Sequence, residues 1–278
     1  MPALHDKTPP FVSHASNFED VIVTRVFPGD SGFYVDVGGN DPVWGSVTWQ
    51  LYQRGWSGIV VEPIERLYKN FLSQRPRDIS LCIALADTEG TQSLYVFEKR
   101  LGLSTTVAAI AEQHKRDFGE EPSKITVPLR TLASLLDQYA PGRPIDLLKI
   151  DAEGAEAAVL RGAAFHRHRP KLIIIEAMEP MRQEDASTEA STILEENDYI
   201  LGLEDGLNKF FVASEHKELL SKLRYPANIF DHFVPYGESL PPDVRSKAVR
   251  RLRRLRIVGA ALAVSLIFNL VLLVFVFR

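Results

Sequence analysis

Asp36, Gly38, Gly39 and Asn40 close the apolar run that begins at Phe33, and an acid followed by two adjacent glycines suits a ligand-holding turn. About twenty residues later, Gly58-Ile59-Val60-Val61 ends in Glu62, the spacing at which nucleotide-binding α/β units place an acceptor for ribose hydroxyls. Acids at two neighbouring strand ends could hold an amine and a ribose. The phosphate-cradling pattern Gly-x-Gly-x-x-Gly is missing, since Gly38-Gly39-Asn40-Asp41-Pro42 does not fit it. The ligand implied is a nucleoside without a pyrophosphate, and S-adenosylmethionine is the common cofactor of that description. A single Gly-Gly turn taken alone reads more readily as a tight strand-to-helix connection.

A second set of reactive residues lies downstream. Lys149-Ile150-Asp151-Ala152-Glu153-Gly154 places three charges around the carboxyl end of an apolar run, where open α/β sheets gather ligands. Glu176 closes Ile173-Ile174-Ile175 and adds a carboxylate on the same sheet edge. Such a group could take a proton or, through Asp151 and Glu176, hold a divalent metal ion, and the sequence does not decide between them. Plainer roles also exist: Lys149 and Asp151 neutralise each other at a rim, and Glu153 favours a helix N-terminus. His114 is a rival base because imidazole titrates near neutrality, although a solvated helix face explains it as well.

These residues need a frame. Buried strands are expected at Phe33–Val37, Gly58–Val61, Ile79–Leu85, Ile145–Ile150 and Lys171–Ile175, with an extra strand at Thr91–Phe97 and an extended stretch at Ile125–Leu129. Helices are expected around Ile110–Phe118, Leu132–Tyr139 and Ala155–Arg161. Tyr199–Leu203 and Lys209–Ala213, joined by a turn containing Asp205-Gly206, form a terminal antiparallel hairpin. The sum is a doubly wound α/β sheet of seven strands.

Composition is that of an ordinary globular chain, with 45% hydrophobic and 24% charged residues. The lone cysteine, Cys82, sits in an apolar run and reads as a packing residue, so neither a disulfide nor a cysteine-based zinc site is expected within one chain. The net charge of −4 hides an asymmetry: no Asp or Glu follows Asp243, whereas eight Lys or Arg do, so residues 1–244 carry 24 basic against 36 acidic side chains. A body that acidic argues against a nucleic-acid partner. Residues 257–277 are uncharged and strongly apolar, and 21 residues at about 1.5 Å each span a hydrocarbon core of roughly 30 Å. Arg250, Arg251, Arg253, Arg254 and Arg256 flank only its N-terminal side, which predicts a single-pass membrane protein with a cytoplasmic body. Met1–Ser16 carries no signal-peptide pattern. The expected organisation is an N-terminal extension (1–30), a catalytic domain (31–234), a linker with a basic juxtamembrane segment (235–256) and a transmembrane helix (257–277).

Taken together, Val35–Pro42, Arg54–Ile59, Val61-Glu62-Pro63, Ala84–Asp87, Gly102–Thr105 and Leu148–Gly154 make the chain resemble the FkbM family of S-adenosylmethionine-dependent methyltransferases. A further stretch, Asp205–Phe211, resembles members found alongside sugar-modifying enzymes. Departures are small: the family more often has alanine at Gly39 and a β-branched residue at Ala152, and the apolar tail is outside its pattern. The resemblance covers roughly Phe33 to Val234 and implies the seven-stranded class I methyltransferase (Rossmann-like) fold. It implies methylation of a hydroxyl oxygen, frequently on a sugar or glycan acceptor, which the tail makes plausible as a lipid-linked intermediate met beside glycosyltransferases. On this reading Asp36, Gly38, Gly39 and Asn40 hold the methionine end of S-adenosylmethionine, Glu62 the ribose hydroxyls, and Asp87 approaches the adenine. Asp151 is the first choice of base, with Lys149 and Glu153 positioning, and Ser104, Asp205 and Asn208 are placed toward substrate. Two other classes remain open: a membrane-tethered binding or scaffold protein that kept the fold without catalysis, and a nicotinamide oxidoreductase, which the missing third glycine disfavours.

Overall fold

The computed structural model describes residues 11–177 and 187–240; the basic segment and the apolar segment 257–277 lie outside these residues. Among the described residues no helix is long and apolar enough to cross a membrane.

In chain order the strands are β1 (Phe11–Ser13), β2 (Phe33–Val37), β3 (Ser57–Val61), β4 (Ile79–Leu81), β5 (Ala84–Ala86), β6 (Gly90–Val96), β7 (Ser123–Thr131), β8 (Leu147–Ile150), β9 (Leu172–Glu176), β10 (Tyr199–Glu204), β11 (Asn208–Ala213) and β12 (Phe233–Pro235). The helices between them are α1 (Glu19–Val26), α2 (Trp49–Gln53), α3 (Glu65–Gln74), α4 (Ala108–Phe118), α5 (Leu132–Tyr139), α6 (Glu156–Arg161), α7 (Thr188–Glu196) and α8 (Tyr236–Ser239).

The principal sheet has seven strands in the order β4-β3-β2-β8-β9-β11-β10. All its pairings are parallel except those of β11, which runs antiparallel to both β9 and β10. Both faces are covered, which explains why its strands are nearly continuous apolar runs. On β2, Phe33, Val35 and Val37 face a core shared with α5, α6 and α7, while Tyr34 faces a second core shared with α1 and α2. Helix α1 falls within the first thirty residues, read above as an extension, yet Ile22, Val23 and Val26 pack in that second core beside Trp56 and Phe210.

One expected strand divides in two. The apolar run Ile79–Leu85 reads as a single strand, but β4 pairs with β3 at the edge of the large sheet, whereas β5 pairs with β7 in a separate three-stranded sheet, β5-β7-β6. Cys82 and Ile83 carry the chain across. Apolar continuity shows that both halves are shielded from water and says nothing about which partner each half bonds. The expected linker after Pro235 also begins as part of the body: β12 pairs in parallel with β1, and the Tyr236 ring stacks on His14 with centroids 4.2 Å apart.

The strands that follow β2 in the chain, β3 and β4, lie on one side of it, and β8 and β9 lie on the other. The order therefore reverses between β2 and β8, and the crevice outside their carboxyl ends is where open sheets of this kind bind ligands.

Candidate active site

The turn after β2 is built on backbone that few residues can adopt. Gly38 has φ +75° and Asn40 φ +53°. A Cβ at Gly38 would fall 1.7 Å from the carbonyl oxygen of Asp151, and one at Gly39 would fall 2.6 Å from Val60 Cγ1 and 2.8 Å from Phe71 Cζ. Glycine at 38 is therefore required by the close approach of the β8 end as well as by the left-handed backbone. The tight seat at Gly39 fits the departure from the alanine usual there, because Phe71 fills that space.

Glu62 buttresses this turn. Its Oε2 accepts the Asn40 N–H at 2.8 Å and its Oε1 accepts the Ile64 N–H at 2.8 Å, while the N–H groups of Gly38 and Gly39 both donate to Val61 O. Burial pushes the Glu62 carboxyl up to about 7, against the two backbone hydrogen bonds and Lys149, which favour its charged form.

Asp36 lies beneath the turn and is fully enclosed. Its Oδ2 accepts the Thr48 hydroxyl at 2.6 Å; its Oδ1 has no hydrogen-bond partner and faces Lys149 Nζ at 3.6 Å. Thr48 belongs to a buried network centred on Arg75, whose guanidinium donates to Thr48 Oγ1 at 2.7 Å, Ser46 Oγ at 2.6 Å and Pro42 O. Asp78 lies 3.8 Å from Arg75 and accepts the Tyr34 hydroxyl and the Gly58 N–H. Sequence reading missed this network. Arg75 ends α3 in no recognisable motif, and only the fold brings it under the loop 41–48.

Lys149 links the turn to the acidic rim of β8. Its ammonium donates to Gly38 O at 2.8 Å and lies 3.2 Å from Asp151 Oδ2. Burial works against the charge, but Asp151 and Asp36 outweigh it and raise the Lys149 pKa above its ordinary value. The lysine therefore stays charged at neutral pH and has no free lone pair to take a proton.

Asp151, Glu153 and Glu176 bring one carboxylate oxygen each to within 4.8 Å of one another. Carboxylates this close disfavour one another's charged forms. Burial, followed by the Asp151 charge, holds both Glu153 and Glu176 well above the usual carboxylate range. The Asp151 side chain is 38% exposed, which leaves it open to an incoming group. Glu153 is held at φ +49°, an arrangement that ordinarily costs about 1–3 kcal/mol and persists only where neighbours impose it. Here the neighbours are Thr105, whose hydroxyl donates to Glu153 O at 2.7 Å, and Glu156, whose Oε1 accepts the N–H groups of Ala152 and Gly154. Neither residue was singled out by sequence; the Glu two positions after Gly154 at a helix start is the one signal that pointed to Glu156.

Other expected site residues are placed elsewhere. His114 is 1% exposed, its Nδ1 lies 3.0 Å from Leu103 O, and its ring meets Phe97 and Phe118 edge-on. It is neither the solvated helix residue nor the open base considered above: α4 turns this face inward, and an enclosed imidazole cannot reach a substrate from solvent. Asp87 is exposed and paired with Arg161 at 3.3 Å. Ser104 Oγ accepts the Phe97 N–H, fixing the loop. Asp205 Oδ1 accepts the N–H groups of Leu207 and Asn208, and Asn208 Nδ2 donates to Glu19 Oε1 at 2.7 Å. These two residues shape the β10–β11 turn, which the register of Asn208 with Glu176 sets at the same sheet edge as the acids.

An open, mostly parallel sheet with an acid-and-glycine turn at its switch point, without a phosphate-cradling glycine triplet, defines the class as a doubly wound α/β protein. The methyltransferase FkbM domain model matches residues 36–225, and the chain belongs to that family. Methyltransferase sdnD from Sordaria araneosa is 33% identical over 121 residues, a match covering 36% of this chain and 47% of that protein, so the chain spans about half the length of this curated relative. Among solved structures, methyltransferase FkbM from Methylobacillus flagellatus KT aligns over 72% of this chain and 48% of that one, with 16% identity and a TM-score of 0.43. An O-methyltransferase from Bacillus cereus in complex with SAH aligns over 71% and 80%, with 13% identity and a TM-score of 0.32.

Proposed function

We propose that the protein transfers a methyl group from S-adenosylmethionine to a hydroxyl oxygen, with a sugar or glycan as acceptor. The observation that carries this reading is the contact between the two halves of the site: Gly38 packs its α-carbon against the Asp151 carbonyl, and Lys149 holds Gly38 O and the Asp151 carboxylate together. A cofactor in the glycine turn and an acceptor at the acids would share one rim. The residues fit the cofactor. Asp36 Oδ1 accepts no hydrogen bond and, with Lys149 3.6 Å away, keeps lone pairs for a further donor such as an ammonium group, and Glu62 keeps unused lone pairs for ribose hydroxyls. S-adenosylmethionine supplies an electrophilic methyl on a sulfonium. The protein's part is alignment: the acceptor oxygen forms the new O–CH3 bond as the S–CH3 bond breaks, and the hydroxyl proton passes to Asp151. Three hard oxygen donors also fit a divalent cation, which would lower the acceptor hydroxyl's pKa at the same place.

Residues 257–277 tether the body to the cytoplasmic face of a membrane, which favours an acceptor on a lipid carrier by raising its effective concentration. Calorimetry with S-adenosylmethionine and NAD, followed by transfer of labelled methyl to membrane and glycan extracts, tests the reading. Binding of the first alone and label in an alkali-stable ether are expected. Preference for NAD, or label on nitrogen or carboxyl groups, would overturn it.

A further inference from the structure

Outside one loop, the exposed large apolar side chains among the described residues are at most half exposed, the adjacent Ile200 and Leu201 at 39% and 38% included. Ile229 and Phe230, adjacent in the chain, are 84% and 82% exposed, and Tyr225 nearby is 59% exposed. They ride on a projecting loop whose shape is fixed. The Arg25 guanidinium closes its neck, donating to Lys222 O at 3.3 Å, Tyr225 O at 2.8 Å and Pro226 O at 3.4 Å while pairing with Asp231 at 3.0 Å. At the tip, Asn228 and Asp231 form a reciprocal capping box, Phe230 N–H to Asn228 Oδ1 and Asn228 N–H to Asp231 Oδ2. A loop tied at neck and tip that presents two bare hydrophobes gains nothing in water.

We infer that the loop 225–231 is an interfacial membrane contact, seating Ile229 and Phe230 among the headgroups and upper acyl chains of the bilayer that residues 257–277 enter. The inference rests on the tethered reading above and deepens it. Three observations choose a lipid surface over other occupants. The described residues end at Leu240, ten residues after Phe230, and in sequence the basic and apolar segments follow. Lys217, Lys222 and Arg224 precede the loop beside Glu215 and Glu218, and residues 241–256 carry seven Lys or Arg against one acid, Asp243, the balance that an anionic leaflet attracts. The Arg224 guanidinium lies 5.8 Å from the Tyr225 ring centre, setting an aromatic ring beside a cation as interfacial residues are set. A sixteen-residue tether reaches up to roughly 55 Å and cannot orient a domain by itself. A second contact on the body would do so, and would hold the site at a constant angle to a lipid-borne acceptor.

The test uses the full chain carrying Phe230→Trp, reconstituted in vesicles of phosphatidylcholine and phosphatidylglycerol with or without bromine on the acyl chains. Trp44 and Trp56 are buried, and the unsubstituted protein gives the background from all three native tryptophans. Quenching of the added tryptophan at least twofold beyond that background is expected, falling back when Ile229→Asp is added. Membrane-embedded protein whose introduced tryptophan stays unquenched would overturn the docking and leave the tether standing. Emission from the introduced tryptophan that shifts to the blue with protein concentration, without bromine quenching, would assign the loop to a second copy instead. Full-length protein recovered only outside the membrane fraction would remove the tether and the docking together.

Discussion

The turn after β2 and the rim after β8 touch each other, but their charges are handled in opposite ways. Glu62 is surrounded by backbone donors that fix it and the turn, so its carboxyl oxygens are part of the scaffold. Asp151, Glu153 and Glu176 face one another across less than 4.8 Å with Lys149 as the adjacent cation, so protons or a cation must enter the group. A rigid, self-satisfied turn suits binding. A crowded, proton-sharing rim suits transfer, because its preference for a proton is what a base requires.

The largest expected effect breaks the contact between the halves. Gly38→Ala places a Cβ 1.7 Å from Asp151 O in a left-handed backbone, and a loss of more than about 4 kcal/mol of stability is expected, read by thermal unfolding together with abolished cofactor binding in calorimetry. A well-folded variant that binds normally would show that the two halves are not rigidly joined.

Asp151→Asn separates the roles. Cofactor affinity should stay within about twofold while turnover falls roughly 10²-fold, as for loss of a general base. In the unsubstituted protein, kcat should rise with pH above the ordinary carboxylate range, because burial and the Asp151 charge keep protons on Glu153 and Glu176 there. A flat pH profile in the presence of a chelator, or full activity of the asparagine variant, moves the proton acceptor elsewhere.

Glu62→Gln should weaken S-adenosylmethionine about tenfold, one charge-assisted hydrogen bond being worth about 1.5–3 kcal/mol. It should also cost stability, since the side chain holds two backbone donors of the turn. The sign of the pH dependence follows from the raised carboxyl. With an ordinary value of 4.5 and a folded value of about 7, the protonated residue contributes stability that is complete below 4.5 and lost as pH rises through 7. Relative to the glutamine variant, the parent should lose on the order of 3 kcal/mol across that window, one pKa unit being about 1.4 kcal/mol. Parallel melting curves for the two proteins from pH 4.5 to 8 would show that Glu62 remains ionised.

Thr105→Val gives the smallest change. Losing one hydrogen bond to the Glu153 carbonyl, worth about 1 kcal/mol, should lower kcat by roughly fivefold with cofactor affinity unchanged. A parallel loss of cofactor affinity would place Thr105 with the turn rather than with the rim.

The alternation between apolar runs and turn residues was enough to foresee the sheet, because a strand covered on both faces must be apolar throughout and a strand end that meets a ligand must not be. Asp36-Val37-Gly38-Gly39, Glu62 and Lys149-Ile150-Asp151 were therefore visible as strand-end chemistry. The burial of His114 and Asn208 was not legible, because a polar letter carries no record of whether its side chain faces solvent.

Which strands form, and which of them end in reactive groups, was written in the chain itself, since both follow from local composition and short spacing. Long-range packing settled the rest. It divided Ile79–Leu85 between two sheets through a choice of hydrogen-bond partners. It set Arg75 beneath the loop 41–48, and it brought residues 38, 62, 149, 153 and 176 to one rim. Those placements depend on strand order and register, which are fixed by packing between residues from about twenty to more than a hundred positions apart, and no local pattern carries that information.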